Sequence, residues 1–96
     1  MEYDLVIQNG NVVDGTGSKK INADIGVKDG LIKTIGNINT SCKNIIDASD
    51  LIVCPGFIDI HTHFDPQLCW DGFATPSIEH GITTVVTGNC SLSLAP

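Results

Sequence analysis

Pro55-Gly56-Phe57-Ile58-Asp59-Ile60-His61-Thr62-His63-Phe64-Asp65 is the stretch on which the reading of this chain turns. An apolar run (Phe57, Ile58, Ile60) leads into two histidines separated by one residue and closes on a carboxylate. Side chains alternate between faces along a β-strand. His61 and His63 therefore share a face if the strand persists through them. Asp59 falls on that face too, and Asp65 does if the strand continues. Two neutral imidazoles side by side can ligate one divalent metal ion, but a closed site needs more ligands than two. On spacing alone, the pair reads equally well as two partly exposed histidines at a strand end.

The segments that follow bear on this choice. Beyond His63 the pattern is loop-like through Asp71-Gly72. Phe73 to His80 has the makings of a short helix: Thr75 as N-cap, Pro76 in the first turn, Glu79 near the capping-box position and Gly81 as the terminating glycine. Ile82-Thr83-Thr84-Val85-Val86 is strongly β-branched and reads as a buried strand. Like the compact apolar run at Phe57, it suits a strand covered on both faces. Strand, helix and strand make a βαβ unit with parallel strands. In parallel α/β folds chemistry gathers at the carboxyl ends of strands. His61 and His63 lie at that end of the first strand, and Gly88-Asn89-Cys90 directly follows the second. Neighbouring parallel strands are ~4.8 Å apart, so Cys90 can approach the pair although it lies 27 positions beyond His63. A thiolate with imidazoles favours Zn²⁺ or a similar borderline metal. The plainer reading of Cys90 is a small residue packed after a strand.

The first half has a different character. Tyr3 to Gln8 and Asn11 to Val13 are apolar stretches around Asn9-Gly10, a strong hairpin signal. Ile21 to Val27 puts Ala23, Ile25 and Val27 on one side. Lys28-Asp29-Gly30 turns the chain into Leu31 to Ile35. Gly36 to Lys43 is polar, and Asn44 to Asp47 and Leu51 to Val53 are short strands around Ala48-Ser49-Asp50. The expectation is a strand meander with structural work only. Asp14-Gly15-Thr16-Gly17 follows a strand but opens no helix and lacks the Gly-Lys-Ser/Thr of a phosphate loop, so it reads as a surface loop.

Ninety-six residues with 42% hydrophobic content suit a small core. Five basic against 11 acidic residues, net −6, argue against a nucleic-acid or anionic-membrane surface. The acidic start, Met1-Glu2-Tyr3-Asp4, is no secretory leader, and no apolar run reaches the roughly 20 residues of a membrane span. The chain reads as soluble and cytoplasmic. Cys42, Cys54, Cys69 and Cys90 are irregularly spaced with no CxxC pair. Reduced thiols fit that compartment better than a two-disulfide module.

The Pro55 to His63 run resembles the first-strand signature of the amidohydrolase superfamily, with its His-x-His metal pair. Leu5 to Gly15 and Ile25 to Ile32 are similar to the small β-sandwich that precedes the barrel in that superfamily. Gly81-Ile82-Thr83-Thr84-Val85-Val86-Thr87-Gly88-Asn89-Cys90, followed by Ser91 to Pro96, resembles the N-acyl-D-amino-acid deacylase (D-aminoacylase) branch. The resemblance implies a mixed α and β fold. Residues 1–54 would be part of a β-sandwich, and residues 55–96 the first βαβ unit of an incomplete, metal-dependent (β/α)₈ barrel.

The resemblance further implies that His61, His63 and Cys90 are metal ligands, for one or two divalent ions such as Zn²⁺. The reaction would be hydrolysis of a C–N amide bond in a small N-acyl amino acid. The general base, an aspartate, would lie beyond Pro96, so no catalytic residue is assigned within the chain. Asp65 has no transferable role, and Gln67, Trp70 and Asp71 are candidates for a pocket border. A complete barrel takes about 200 residues or more, so the chain reads as an N-terminal fragment, inactive by itself. Two other readings are a piece of a cyclic-amide hydrolase of the hydantoinase or dihydroorotase kind, against which Gly88-Asn89-Cys90 argues, and a non-catalytic β-domain that serves in binding.

Overall fold

Strand β1, Leu5–Val12, is the spine of the first unit. The computed structural model describes residues 2–89, in two units that divide between Pro55 and Gly56. On one side β1 pairs antiparallel with β2, Ile21–Lys28, which pairs with β3, Leu31–Gly36. On its other side run two short parallel strands, β4 (Ile45–Asp47) beside Val6 to Gln8 and β5 (Ile52–Val53) beside Asn11 and Val12.

The hairpin expected at Asn9-Gly10 is not formed. Ile7 pairs with Ile25 and Gly10 with Ala23, so Gln8 and Asn9 together face Asp24 alone. That is a β-bulge, in which two residues oppose one. Asn9 adopts the left-handed conformation, φ 61°, that a bulge shares with a hairpin turn. The flanking residues stay in a single strand because both edges of β1 are already occupied. The first unit is therefore a five-stranded sheet with mixed pairing rather than a simple meander.

The bulge decides the core. It adds one residue, so Ile7 and Val12 come to the same face, where strict alternation would separate them. Val12, Ala23 and Ile25 are buried together, with Ile7, Val27 and Val53 packed against them. The Ala23, Ile25, Val27 stripe is the one expected from the sequence. A Cβ on Gly10 would sit 2.7 Å from the Val53 side chain, so glycine at this position is what lets β5 close on β1.

The expected sandwich is present as one sheet only. All the strands of residues 2–55 are hydrogen-bonded into the same layer. Its apolar face carries a groove of about 320 Å³ whose lining includes Ile7, Val12, Ile25, Ile32, Ile35 and Val53. Ile32 is 62% exposed, as a sheet face without a second layer leaves it.

In the second unit, β6, Phe57–Asp59, pairs parallel with β7, Ile82–Val85. Between them lie a one-turn helix α1, Phe64–Gln67, and a 3₁₀ turn, Ser77–His80. The parallel sense is the expected one. Helical content is smaller than expected over Phe73 to His80, and α1 falls where loop was expected. Phe57, Ile58 and Ile60 are exposed, contrary to the doubly covered strand expected. Among the described residues this unit has only the β6–β7 pair and no layer to lay over it. No helix of the described residues is long and apolar enough to cross a membrane.

Candidate metal centre

The hydrogen-bonded ladder of β6 ends at Asp59, short of the histidines. The expected strand through His63 is therefore interrupted, yet the alternation survives in burial. Thr62 and Phe64 are buried, 7% and 6% exposed, whereas His61 and His63 face outward. The intervening threonine and the following phenylalanine act as anchors, which turns both imidazoles to the solvent side. Asp59 accepts a hydrogen bond from the His61 backbone N–H at 3.1 Å, so this carboxylate shapes the exit of the strand.

The two imidazole rings have centroids 5.7 Å apart at an interplanar angle of 65°. Two imidazoles bound to one zinc at ~2.0–2.1 Å in tetrahedral geometry place their centroids about 5 Å apart. Small side-chain rotations bring the pair to that spacing, and a nitrogen donor set suits a borderline metal. Among the described residues no group of three His, Cys, Asp or Glu side chains is arranged around one ion. Cys90, the expected third ligand, lies outside the described residues.

The segment after the pair is organised by Asp71. Its Oδ2 accepts from the Thr75 hydroxyl at 2.7 Å, the Thr75 N–H at 2.8 Å and the Gln67 carboxamide at 3.2 Å. Its Oδ1 accepts from the Phe73 N–H at 3.1 Å. Gln67 also donates to the Thr75 carbonyl at 2.6 Å. The polar atoms of Gln67 and Asp71, candidates for a pocket border, are thus engaged within their own loop, while Trp70 is 76% exposed. Thr75 does not serve as the N-cap, because Asp71 takes its hydroxyl, and the 3₁₀ turn starts after Pro76 without a side-chain cap. Gly81 terminates that turn at φ 82°, the left-handed role expected of it. Asp65 stands in the first turn of α1.

The Thr75 hydroxyl, and after it the Thr75 amide, Gln67 and the Phe73 amide, hold the Asp71 carboxyl below the ordinary carboxylate range, against a smaller opposing effect of burial. A depressed carboxylate stabilises the folded loop above its unfolded pKa of about 3.9, and that contribution is lost as pH falls through the folded value. The Thr75 amide resonance should therefore hold its position on acidification from neutrality to about pH 4 and move only below it. Movement centred at or above that pH would contradict the assignment.

Thr62 and Asn89, not singled out by the sequence, bridge the ends of the two strands. The Thr62 hydroxyl donates to the Val86 carbonyl at 2.9 Å, and the Asn89 carboxamide donates to the Ile60 carbonyl at 2.9 Å. Cys42, Cys54 and Cys69 are free thiols.

Residues 44–95 match the Amidohydrolase family. The chain is 44% identical over 95 residues to the D-aminoacylase of Alcaligenes xylosoxydans xylosoxydans, covering 98% of this chain and 20% of that protein. It is 38% identical over 91 residues to an allantoinase of Escherichia coli, covering 90% of this chain and 20% of that enzyme. A solved D-aminoacylase structure concerned with a binuclear metal centre superposes with a TM-score of 0.89 at 44% identity, over 98% of this chain and 20% of that one. An N-acyl-D-glutamate deacylase from Bordetella bronchiseptica, complexed with zinc and a phosphonate mimic of the tetrahedral intermediate, does so with 0.86 at 42% identity, over 100% and 20%. The chain spans about a fifth of the length of these relatives. With the match running from Asn44 through β6, the histidine pair and β7, the chain belongs to the Amidohydrolase family.

Proposed function

We propose that this chain supplies the first metal ligands of a hydrolase that cleaves the C–N amide bond of N-acyl-D-amino acids. The observation that carries the reading is the outward-facing pair His61 and His63 at the carboxyl end of a parallel strand, with centroids 5.7 Å apart. Cys90, which follows β7 in sequence, completes the proposed set. The likeness to D-aminoacylase and N-acyl-D-glutamate deacylase supports the substrate class. The zinc-bound and binuclear relatives support one or two divalent ions. A zinc ion held by His61 and His63 would supply polarisation of an amide carbonyl and a nucleophile at neutral pH. The chain's own part is to present the two imidazoles with no more than small side-chain rotations, since the buried Thr62 and Phe64 anchor the backbone that carries them. The general base is not among the residues assigned here. Residues 1–54 form the sheet unit that precedes this site, and residues 55–96 begin a (β/α)₈ barrel. The protein acts in the cytoplasm on a small-molecule substrate and not on nucleic acid or membrane.

The 38% identity to allantoinase makes a cyclic-amide hydrolase the second reading. A chimera separates the two: this chain in place of the matching fifth of the Alcaligenes D-aminoacylase. It is expected to bind zinc and release amino acid from N-acetyl-D-amino acids, with no turnover of allantoin. The 96-residue chain by itself is expected to show no turnover. A folded, zinc-loaded chimera that opens allantoin and leaves the N-acyl-D-amino acids intact would reverse the assignment.

A further inference from the structure

We propose that Asn9 is a site of spontaneous deamidation gated by the β-bulge: the closed sheet holds the reaction off, and an opening of β1 admits a change after which the bulge does not re-form as it was. The inference is independent of the hydrolase reading. Asn9-Gly10 is the one Asn-Gly pair in the sequence. In such a pair the glycine nitrogen, with no Cβ beside it, attacks the asparagine Cγ. The N–Cγ bond forms and the Cγ–Nδ2 bond breaks. Hydroxide takes the Gly10 amide proton, water gives one to the leaving nitrogen, and ammonia departs. Water then opens the cyclic imide at either carbonyl, which leaves aspartate or isoaspartate.

The sheet keeps the two groups out of reactive geometry. Asn11 and Val13 donate their N–H groups to the Leu51 and Val53 carbonyls. By alternation the Gly10 N–H is turned to the opposite edge of β1, where Gly10 is paired with Ala23. The nucleophile thus points into the ladder. The carboxamide it would attack is held towards β4, with Nδ2 donating to the Asp47 Oδ1 at 3.3 Å. The Asn9 N–H on Asp24 Oδ1 at 2.9 Å, and the Asn22 carboxamide on the Asn9 carbonyl at 3.4 Å, fix the backbone between them. Asn9 is exposed, so water has access and the backbone is the barrier. Either product damages the closed form. Aspartate at this position sets a carboxylate against Asp47 in place of a donor, and like charges on neighbouring strands are destabilising. Isoaspartate adds a methylene to the main chain just before Gly10. A Cβ on Gly10 would already sit 2.7 Å from the Val53 side chain, so the added length has no room there, and the Val12, Ala23, Ile25 cluster loses its register.

The test compares the 96-residue chain with a peptide of residues 1–19, which has the same local sequence and no sheet. Both are incubated in mildly alkaline buffer, and products at Asn9 and Asn11 are resolved by peptide mapping with fragment masses. The peptide should deamidate at Asn9 and not at Asn11, where Val12 shields the nitrogen. The folded chain should react at Asn9 at least about tenfold more slowly, because only its opened fraction reacts, and added urea should raise its rate to that of the peptide. Asp24→Ala should accelerate the reaction in the chain. Deamidated chain, separated from the unreacted form, should unfold at lower urea, as should Asn9→Asp, while Asn9→Gly keeps the left-handed residue and should stay closed. Equal rates in folded chain and peptide overturn the gate, and this comparison needs no variant to fold. A peptide stable at Asn9, or a chain that stays unmodified even when unfolded, overturns the site. An unaltered urea midpoint in the deamidated chain overturns the irreversible step.

Discussion

Replacing His61 and His63 together by alanine in the chimera should abolish bound zinc and lower deacylation by at least about a thousandfold while leaving the fold intact. The size follows from what is removed. A metal ion contributes several kcal/mol of transition-state stabilisation, and each 1.36 kcal/mol is a factor of ten in rate; about 4 kcal/mol is a thousandfold. The retention of fold follows from geometry. The β6 ladder ends at Asp59, both imidazoles face outward, and the anchors Thr62 and Phe64 are untouched. Exposed substitutions of this kind change stability by less than about 0.5 kcal/mol. Zinc content by atomic absorption and the unfolding midpoint, measured on the same sample, separate the two effects. Full zinc with full activity in the double variant would remove the pair from the site, whereas loss of fold would mean that the histidines do structural work which their exposure does not show.

That pair was legible because both its members and its geometry are local. His61 and His63 are two apart in sequence, and a period of two needs only extended backbone to put them on one side, which holds even where the ladder has stopped. The Ala23, Ile25, Val27 stripe was legible for the same reason. Asn9-Gly10 was not, because its signal is ambiguous at short range. A type I′ hairpin turn and a β-bulge both ask for a residue in the left-handed region, and Asn9 at φ 61° satisfies either. The choice was made by β4 and β5, which lie more than 30 positions further along and occupy the free edge of β1. Thr75 failed similarly: its sequence context is that of an N-cap, but Asp71 competes for the same hydroxyl at 2.7 Å. Thr62 and Asn89 carry no mark in the sequence at all. A hydroxyl and a carboxamide 27 positions apart reach the Val86 and Ile60 carbonyls of the opposite segment only once β6 and β7 run side by side. Interactions set by local spacing are readable from the chain, and those set by which strands become neighbours are not.

The same distinction yields the second large effect, at Asp24, which nothing in the local sequence distinguishes from a solvated strand carboxylate. Its Oδ1 accepts the Asn9 N–H at 2.9 Å, and its Oδ2 accepts the Ile38 N–H at 3.0 Å. The first bond satisfies the backbone donor that the bulge removes from the ladder. The second holds the chain just after β3, where Ile38 is 6% exposed. Hydrogen bonds to a charged group are worth about 1.5–3 kcal/mol each, and the two share one side chain, so Asp24→Ala should cost about 2–4 kcal/mol in denaturant unfolding of the 96-residue chain. Asp24→Asn keeps one acceptor and should lose roughly half as much. The loss extends beyond the two bonds because the bulge sets the register: without it Ile7 and Val12 fall on opposite faces, and the Val12, Ala23, Ile25 cluster loses a wall. Amide exchange at Gly10 and Val12 should therefore accelerate more than at Leu31 or Lys33 on β3. A loss below about 0.5 kcal/mol, the level of an ordinary surface change, would mean that Asn9 and its pairing with the Asp47 carboxylate at 3.3 Å hold the bulge without help from Asp24.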